Sequence, residues 1–200
     1  METNSQKLVE LKNELRKEFS QRRSSISKSD REIRSNQMTM RLLNLNEVVD
    51  ATNILAYWSF GTEAPTRTLI KELSLRNKRI LLPYLETNKM HAARFNSTES
   101  LETTTYGPLE PTEKIPTDPS TVQVIVVPGL AFDRNGFRLG YGRGFYDSYL
   151  SNLSDSATTI GFCFATQIAE HVPTEPHDIA LDILVTDQEV IRIASRSHRN

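Results

Sequence analysis

Residues 122–150 read VQVIVVPGLAFDRNGFRLGYGRGFYDSYL, and this stretch narrows the possible folds more than any other. Val122 to Val127 is an apolar run rich in β-branched residues, the composition of a strand buried on both faces of a parallel sheet. Pro128-Gly129 ends it. Asp133-Arg134-Asn135-Gly136 then predicts a tight turn, because Asn and Gly accept the positive φ such turns need. Beyond it come Arg138 and three glycines at alternate positions, Gly140, Gly142 and Gly144, interleaved with Tyr141 and Arg143. Phe145-Tyr146-Asp147, followed by Tyr149 and Leu150, reads as a helix start. Glycines ahead of a helix let backbone N–H groups converge on an anion, and the helix N-terminus adds partial positive charge. The same glycines also fit a loop that only turns the chain. They form neither a dinucleotide fingerprint nor a Walker A loop, which needs a Lys-Ser/Thr pair after its last glycine. Spacing leaves both readings open; the two arginines and Asp147 count toward a phosphate cradle.

Composition sets the remaining bounds. Two hundred residues at 38% hydrophobic content predict a single domain with its own core over residues 1–200, frayed at about 1–5 and 195–200. With 24 basic and 25 acidic residues the net charge is −1, so no global field draws the chain to nucleic acid or to a membrane surface. The single cysteine, Cys163, lies in an apolar run and reads as a buried, inert thiol. No apolar stretch approaches a membrane span, and the first residues lack a signal-peptide apolar core. A cytoplasmic monomer is the expectation.

Leu8, Leu11, Leu15 and Phe19 recur at helical spacing and predict an amphipathic first helix. Lys12 and Arg16, four apart on a neighbouring face, read from spacing as solvated. Ser29-Asp30-Arg31-Glu32 has the form of a capping box opening a second helix. Asn53 to Phe60 predicts a buried strand, and Trp58 within it reads as a core residue. Phe60 and Glu63 stand where that strand gives way to a loop, and such loops carry the ligands of open α/β sheets. A helix is expected over Pro65 to Asn77, and strands over Arg79 to Tyr84 and Met90 to Phe95, where His91 reads as an ordinary strand residue. Residues 97–120 look irregular. A strand over Thr158 to Ala165, a helical turn over Thr166 to His171 and a strand over Ile183 to Val185 complete the pattern, with no internal repeat. Strands alternating with helices indicate an α/β layered sheet, mainly parallel and flanked by helices.

The segment from Pro128 to Leu150 resembles the signature of the 5-formyltetrahydrofolate cyclo-ligase family, also called 5,10-methenyltetrahydrofolate synthetases. The family pattern is roughly PG-x-x-F-D-x-x-G-x-R-[LI]-G-x-G-x-G-[YF]-Y-D-x-x-L, and weaker likeness extends from Leu11 to Asp187. Phe145 stands where a tyrosine is common, which removes a hydroxyl. The resemblance implies a fold like that of sugar-phosphate isomerases and CoA transferases. It reverses the solvated reading of the first helix, since a K-x-x-L-R motif matched by Lys12, Leu15 and Arg16 reaches nucleotide phosphates in the family. It implies ATP binding by Lys12, Arg16, Arg138, Gly140, Tyr141, Gly142, Arg143, Gly144, Phe145 and Tyr146, with Arg143 and Tyr146 acting in catalysis. It also implies a folate pocket of Trp58, Phe60, Glu63, Tyr84, Tyr106 and Tyr146, with Glu63 holding the pterin. Asp147 and Asp182 would hold Mg²⁺; without the resemblance, Asp182 is an ordinary strand-initiating Asp.

The reaction so implied is ATP- and Mg²⁺-dependent cyclisation of 5-formyltetrahydrofolate to 5,10-methenyltetrahydrofolate. Both nucleophiles belong to the substrate, so the protein needs no Ser, Cys or His nucleophile, and its task is alignment and charge stabilisation. Two other readings fit parts of the pattern: a nucleotide-binding regulatory module, and a sugar-phosphate isomerase of related fold that needs no ATP. Glu63, Asp147 and Asp182 together argue against the first. The paired basic helix residues and the triple-glycine loop argue against the second.

Overall fold

The protein is described by a computed structural model, which covers residues 4–104 and 107–194. It begins with three helices, α1 (Asn4–Ser24), α2 (Lys28–Leu43) and α3 (Asn46–Asp50). The first strand and its crossover follow as β1 (Asn53–Leu55), α4 (Arg67–Leu75) and β2 (Arg79–Glu86). Next come β3 (Lys89–Arg94), β4 (Leu101–Thr103), β5 (Leu109–Pro111), β6 (Val124–Val127), β7 (Ala131–Asp133) and β8 (Arg138–Leu139). The last elements are α5 (Phe145–Leu150), β9 (Thr158–Phe162), β10 (Ile168–Ala169), β11 (Ile183–Val185) and β12 (Val190–Arg192). Among the described residues no helix is long and apolar enough to cross a membrane.

Seven of these strands form the main sheet in the order β12-β11-β9-β6-β1-β2-β3. The pairs β11–β9, β9–β6, β6–β1 and β1–β2 are parallel, and antiparallel β12 and β3 close the two edges. The central strands are apolar on both faces because both are covered. Ile54, Val124, Val126, Ile160 and Ile183 pack beneath Met38, Leu42, Leu69 and Leu73 of α2 and α4. Leu55, Ile125, Val127 and Leu184 face the other way, toward Tyr149 and Leu150 of α5. The crossovers that follow β1 and β6 therefore leave on opposite faces, although the two strands are neighbours. That divergence opens a crevice at their C-terminal ends, where open α/β sheets bind ligands. A small sheet, β10-β7-β8, stands beside the main one and packs its Ala131, Leu139 and Ala169 against Phe19 of α1.

The expected layered α/β architecture is present, with several local corrections. Helix α2 starts earlier than the Ser29 capping box: Ser27 is the cap, its side chain accepting from the Asp30 amide, and Ser29 is already inside the helix. Strand β1 stops at Leu55, not Phe60, because the chain beyond is tied to Thr66. Its hydroxyl donates to the Tyr57 carbonyl (2.6 Å) and accepts from the Ser59 amide (3.1 Å). Helix α4 is correspondingly shorter than Pro65 to Asn77. The irregular stretch 97–120 holds the antiparallel ribbon β4–β5, and the helical turn expected over Thr166 to His171 is a 3-10 turn at Ala165–Gln167 that runs into β10. Leu11, counted in the apolar stripe of α1, is 46% exposed. The short elements α3 and β12 carry no signal in the sequence.

Gly161 of β9 shows how tightly the layers meet. A Cβ there would come within 2.7 Å of Leu184 Cδ2 and 2.9 Å of Phe132 Cε1, both in the closed core. Gly161→Ala is expected to destabilise the fold by about 1–3 kcal/mol, read as a fall of several degrees in Tm by calorimetry. An unchanged Tm would show that the core around β9 has room to give.

Candidate active site

Helix α1 turns a basic face inward. At about 100° per residue, Lys12, Arg16, Phe19 and Arg23 fall within an arc of roughly 60°. Lys12 is only 8% exposed, and its Nζ lies 2.8 Å from Glu175 Oε2 and 3.0 Å from Asp178 Oδ2. Burial lowers its pKa, but the hydrogen bonds to the two carboxylates outweigh this and leave it raised. The solvated reading of Lys12 does not hold. Arg16 donates from Nε to the Gly140 carbonyl (3.0 Å) and from Nη1 to Asn13 Oδ1 (2.7 Å). Its guanidinium lies across Gly142, where a Cβ would come within 3.2 Å of Nη2. Gly142 also has φ +94°, so it is a position for glycine on both counts.

The glycine loop runs from β8 into α5, and Gly144, at φ +66°, is the residue before the helix. Asp147 is thus not the cap of α5 but lies in its first turn. With six residues, α5 offers little macrodipole, so positive charge at the loop comes from side chains. Tyr141 is 62% exposed, with its hydroxyl held by Arg23. Arg143 lies over the Phe145 ring, 6.0 Å from its centroid. Arg138 turns away from the loop surface. Its buried guanidinium pairs with Asp147 Oδ1 at 2.9 Å and donates to the Ile179 carbonyl at 3.0 Å. Burial pushes its pKa down, against the pull of Asp147.

Asp147 also accepts from the Ile179 amide (3.3 Å), which sets it beside Asp178. Asp182 is elsewhere. It precedes β11, at the opposite end of the parallel strands from the crevice, and its Oδ2 accepts from the Thr159 amide (2.8 Å) and hydroxyl (2.7 Å). The strand-initiating reading describes it well, and as a partner to Asp147 for a cation it does not fit. Asp178, the residue before Ile179, offers hard oxygen donors on the same side as Asp147, of the kind Mg²⁺ takes.

On the other side of the crevice the β1–α4 loop carries Glu63, half-buried, with Oε2 accepting from the Phe60 amide at 2.9 Å. Burial raises its pKa, opposed by that amide and by Arg23. Tyr57 and Tyr146 are held neutral by the same burial and by the nearby Glu63 charge, while Arg23 opposes the rise for Tyr57 and Arg138 for Tyr146. Phe60 is exposed at the loop tip, its ring against Gly107. Trp58 is buried in the core, 5.9 Å from the Phe95 ring, and Tyr84 is buried with its hydroxyl on the Lys114 carbonyl (3.2 Å). Tyr106 lies outside the described residues.

The structure adds residues that sequence reasoning passed over. Arg23 is one, and its spacing from Lys12 and Arg16 on one helical face was the available signal. Asp133 is another. Its fully buried carboxylate accepts from the amides of Asn135 (3.0 Å), Phe137 (3.1 Å) and Val172 (3.0 Å). It therefore shapes the turn before Arg138 and ties it to the segment bearing Glu175 and Asp178.

Comparison with known proteins gives the family and the fold. The sequence model of the 5-formyltetrahydrofolate cyclo-ligase family matches residues 9–187. A 5-formyltetrahydrofolate cyclo-ligase of Haemophilus influenzae is 32% identical, covering 91% of this chain and 99% of that protein. One from Escherichia coli is 30% identical, covering 85% and 97%. The solved structure of Aquifex aeolicus 5,10-methenyltetrahydrofolate synthetase superposes with a TM-score of 0.83 at 32% identity, covering 95% of this chain and 97% of that one. The synthetase from Mycoplasma pneumoniae, at 21% identity and a TM-score of 0.73, shares the fold.

Glu63 yields a stability prediction. An acid whose pKa is raised on folding costs nothing while protonated in both states, and opposes folding increasingly as pH rises from its unfolded pKa through its folded one. Glu63→Gln keeps an acceptor for the Phe60 amide and removes the charge. It is expected to raise Tm at neutral pH and to leave Tm nearly unchanged near pH 4. A fall in Tm at neutral pH that is absent near pH 4 would mean the carboxylate is a net stabilising group.

Proposed function

The chain belongs to the 5-formyltetrahydrofolate cyclo-ligase family, and on that premise we propose that it converts 5-formyltetrahydrofolate to 5,10-methenyltetrahydrofolate. ATP is the co-substrate, and ADP and phosphate are released. The observation that carries this reading is the meeting, at one switch point of the sheet, of a half-buried carboxylate loop with an arginine-flanked glycine loop. The first suits the paired N–H donors of a pterin. The second suits a triphosphate.

In this reading the formyl oxygen attacks the terminal phosphorus of ATP and ADP leaves. The folate's own N10 then closes on the activated carbon, and the carbon–oxygen bond breaks as phosphate departs. The chain's residues align and neutralise. Glu63 accepts from the pterin edge, and Phe60, exposed at the loop tip, offers a ring face. Tyr146, kept neutral, donates a hydrogen bond, and with Arg143 it faces the reacting phosphate. Lys12, Arg16 and the backbone of Gly140 to Gly144 hold the remaining phosphates, beside Tyr141 and Phe145. Arg138 orients Asp147. Trp58 and Tyr84 back the folate pocket from the core. Asp147 with Asp178 would hold Mg²⁺, which when bound spreads the phosphate charge.

Formation of the methenyl chromophore is expected only when formyl folate, ATP and magnesium are all present. Purified protein that forms none with all three would sink the reading. For the metal, Asp147→Asn is expected to raise the magnesium needed for half-maximal rate about tenfold or more, while Asp182→Asn leaves it unchanged. Equal shifts in both would return Asp182 to the metal site.

A further inference from the structure

Arg23 is 3% exposed, yet neither the glycine motif nor the paired basic residues of α1 point to it. Its guanidinium reaches three loops. Nε donates to Thr62 Oγ1 at 3.0 Å, in the loop after β1. Nη1 donates to the Gly129 carbonyl at 3.3 Å, where β6 ends. Nη2 donates to the Tyr141 hydroxyl at 2.6 Å, in the glycine loop before α5. All three acceptors are neutral, and among the described residues no carboxylate forms an ion pair with it. A buried cation without a directly paired anion is unfavourable for stability. The rigid fork is what this place uses, since a lysine has one nitrogen and cannot meet three divergent acceptors in the same geometry.

We propose that Arg23 is a positioning residue that locks the loop carrying Glu63 to the loop carrying Tyr141, and so sets the folate against the nucleotide. The proposal rests on the function given above. The Glu63 loop follows β1 of the main sheet and the glycine loop follows β8 of the small sheet, and among the described residues no strand pairing joins the two loops. Arg23 enters from a third direction, on α1, and bridges them at Thr62 and Tyr141. Its charge has a second effect. Glu63 is faced by Arg23 from α1, by Tyr146 from α5, by Tyr57 from the end of β1 and by the Phe60 amide of its own loop. Of the side chains, Arg23 alone opposes the effect of burial and favours the carboxylate.

Two variants separate fork from charge. Arg23→Lys keeps the charge and loses the fork; Arg23→Gln loses both. Misaligning two bound substrates lowers kcat more than it weakens either one. Both variants are therefore expected to lose at least about tenfold in kcat, with KM for ATP and for formyl folate each within about threefold of wild type. The acid limb of kcat/KM for the folate should move to higher pH in Arg23→Gln and stay in place in Arg23→Lys. Hydrogen exchange on the free protein supplies an arm that needs no substrate. Residues 60–64 and 140–143 should exchange faster together in both variants, while β6 and β9 keep wild-type protection. Wild-type exchange in both loops, or faster exchange with kcat unchanged, overturns the proposal. Should Arg23→Gln fail to fold, Arg23→Lys still decides between the two outcomes through kcat and exchange. A wild-type protein that makes no methenyl product defeats the functional reading instead, and the exchange arm still decides whether Arg23 couples the loops.

Discussion

Lys12, Arg16 and Arg23 project inward from α1, and burying basic side chains is unfavourable unless each finds partners. Those partners lie in loops far apart in the sequence. Lys12 takes Glu175 and Asp178, Arg16 takes Gly140, and Arg23 takes Thr62, Gly129 and Tyr141. Phe19 gives the helix one deeply buried apolar anchor against the small sheet, and the remaining attachment is largely polar. The helix is therefore held in place by the groups that form the site. Loosening one of these cations frees a loop as well as a side chain.

Asp133 plays the complementary part from the other side. Three backbone amides converge on its carboxylate, which is a strong arrangement for a buried anion, and the His171 ring lies 3.8 Å away. Two of the three lie within its own turn and the third in the segment before β11, so the turn and that segment move as one piece. Gly136, at φ +86°, fits the same junction, since a Cβ there would collide with the Leu181 carbonyl oxygen. Asp133 and Gly136 of the motif are thus explained by backbone chemistry, Gly142 by its positive φ and the approach of Arg16, and Gly144 by its positive φ at the start of α5.

The parallel core was legible because both faces of Val124 to Val127 are covered, which leaves no polar alternation in the sequence. The glycine loop was legible for a similar local reason. What escaped is what strand direction and cross-chain contacts decide. Asp178 and Asp182 lie four apart in one segment, and composition does not distinguish them. The chain crosses a face of the sheet between them, so Asp178 stays beside Lys12 while Asp182 reaches the far end at Thr159. Ser27 and Ser29 are equally good caps by type, and the helix starts at the first. Arg23 sat in a run of basic and small residues, where only its place on the helical face of Lys12 and Arg16 marked it out. The ribbon β4–β5, α3 and β12 are too short to carry a periodicity.

The charge pattern of the assembled site bears on how the proposed triphosphate would enter it. Lys12 is already matched by Glu175 and Asp178, and Arg138 by Asp147. Several negative charges arriving beside these carboxylates would be repelled at short range, because a partly buried site screens them poorly. Two changes relieve the repulsion. Lys12 can turn from its carboxylates to a phosphate, which leaves Glu175 and Asp178 without their cation. On the proposed function, Asp178 and Asp147 are the carboxylates that would hold a divalent ion, whose charge would offset theirs. The two changes would support each other, since the carboxylates that Lys12 leaves are the ones a cation would need, and Lys12 would be free for the phosphate oxygens. The proposed function therefore favours an anion that carries its own cation.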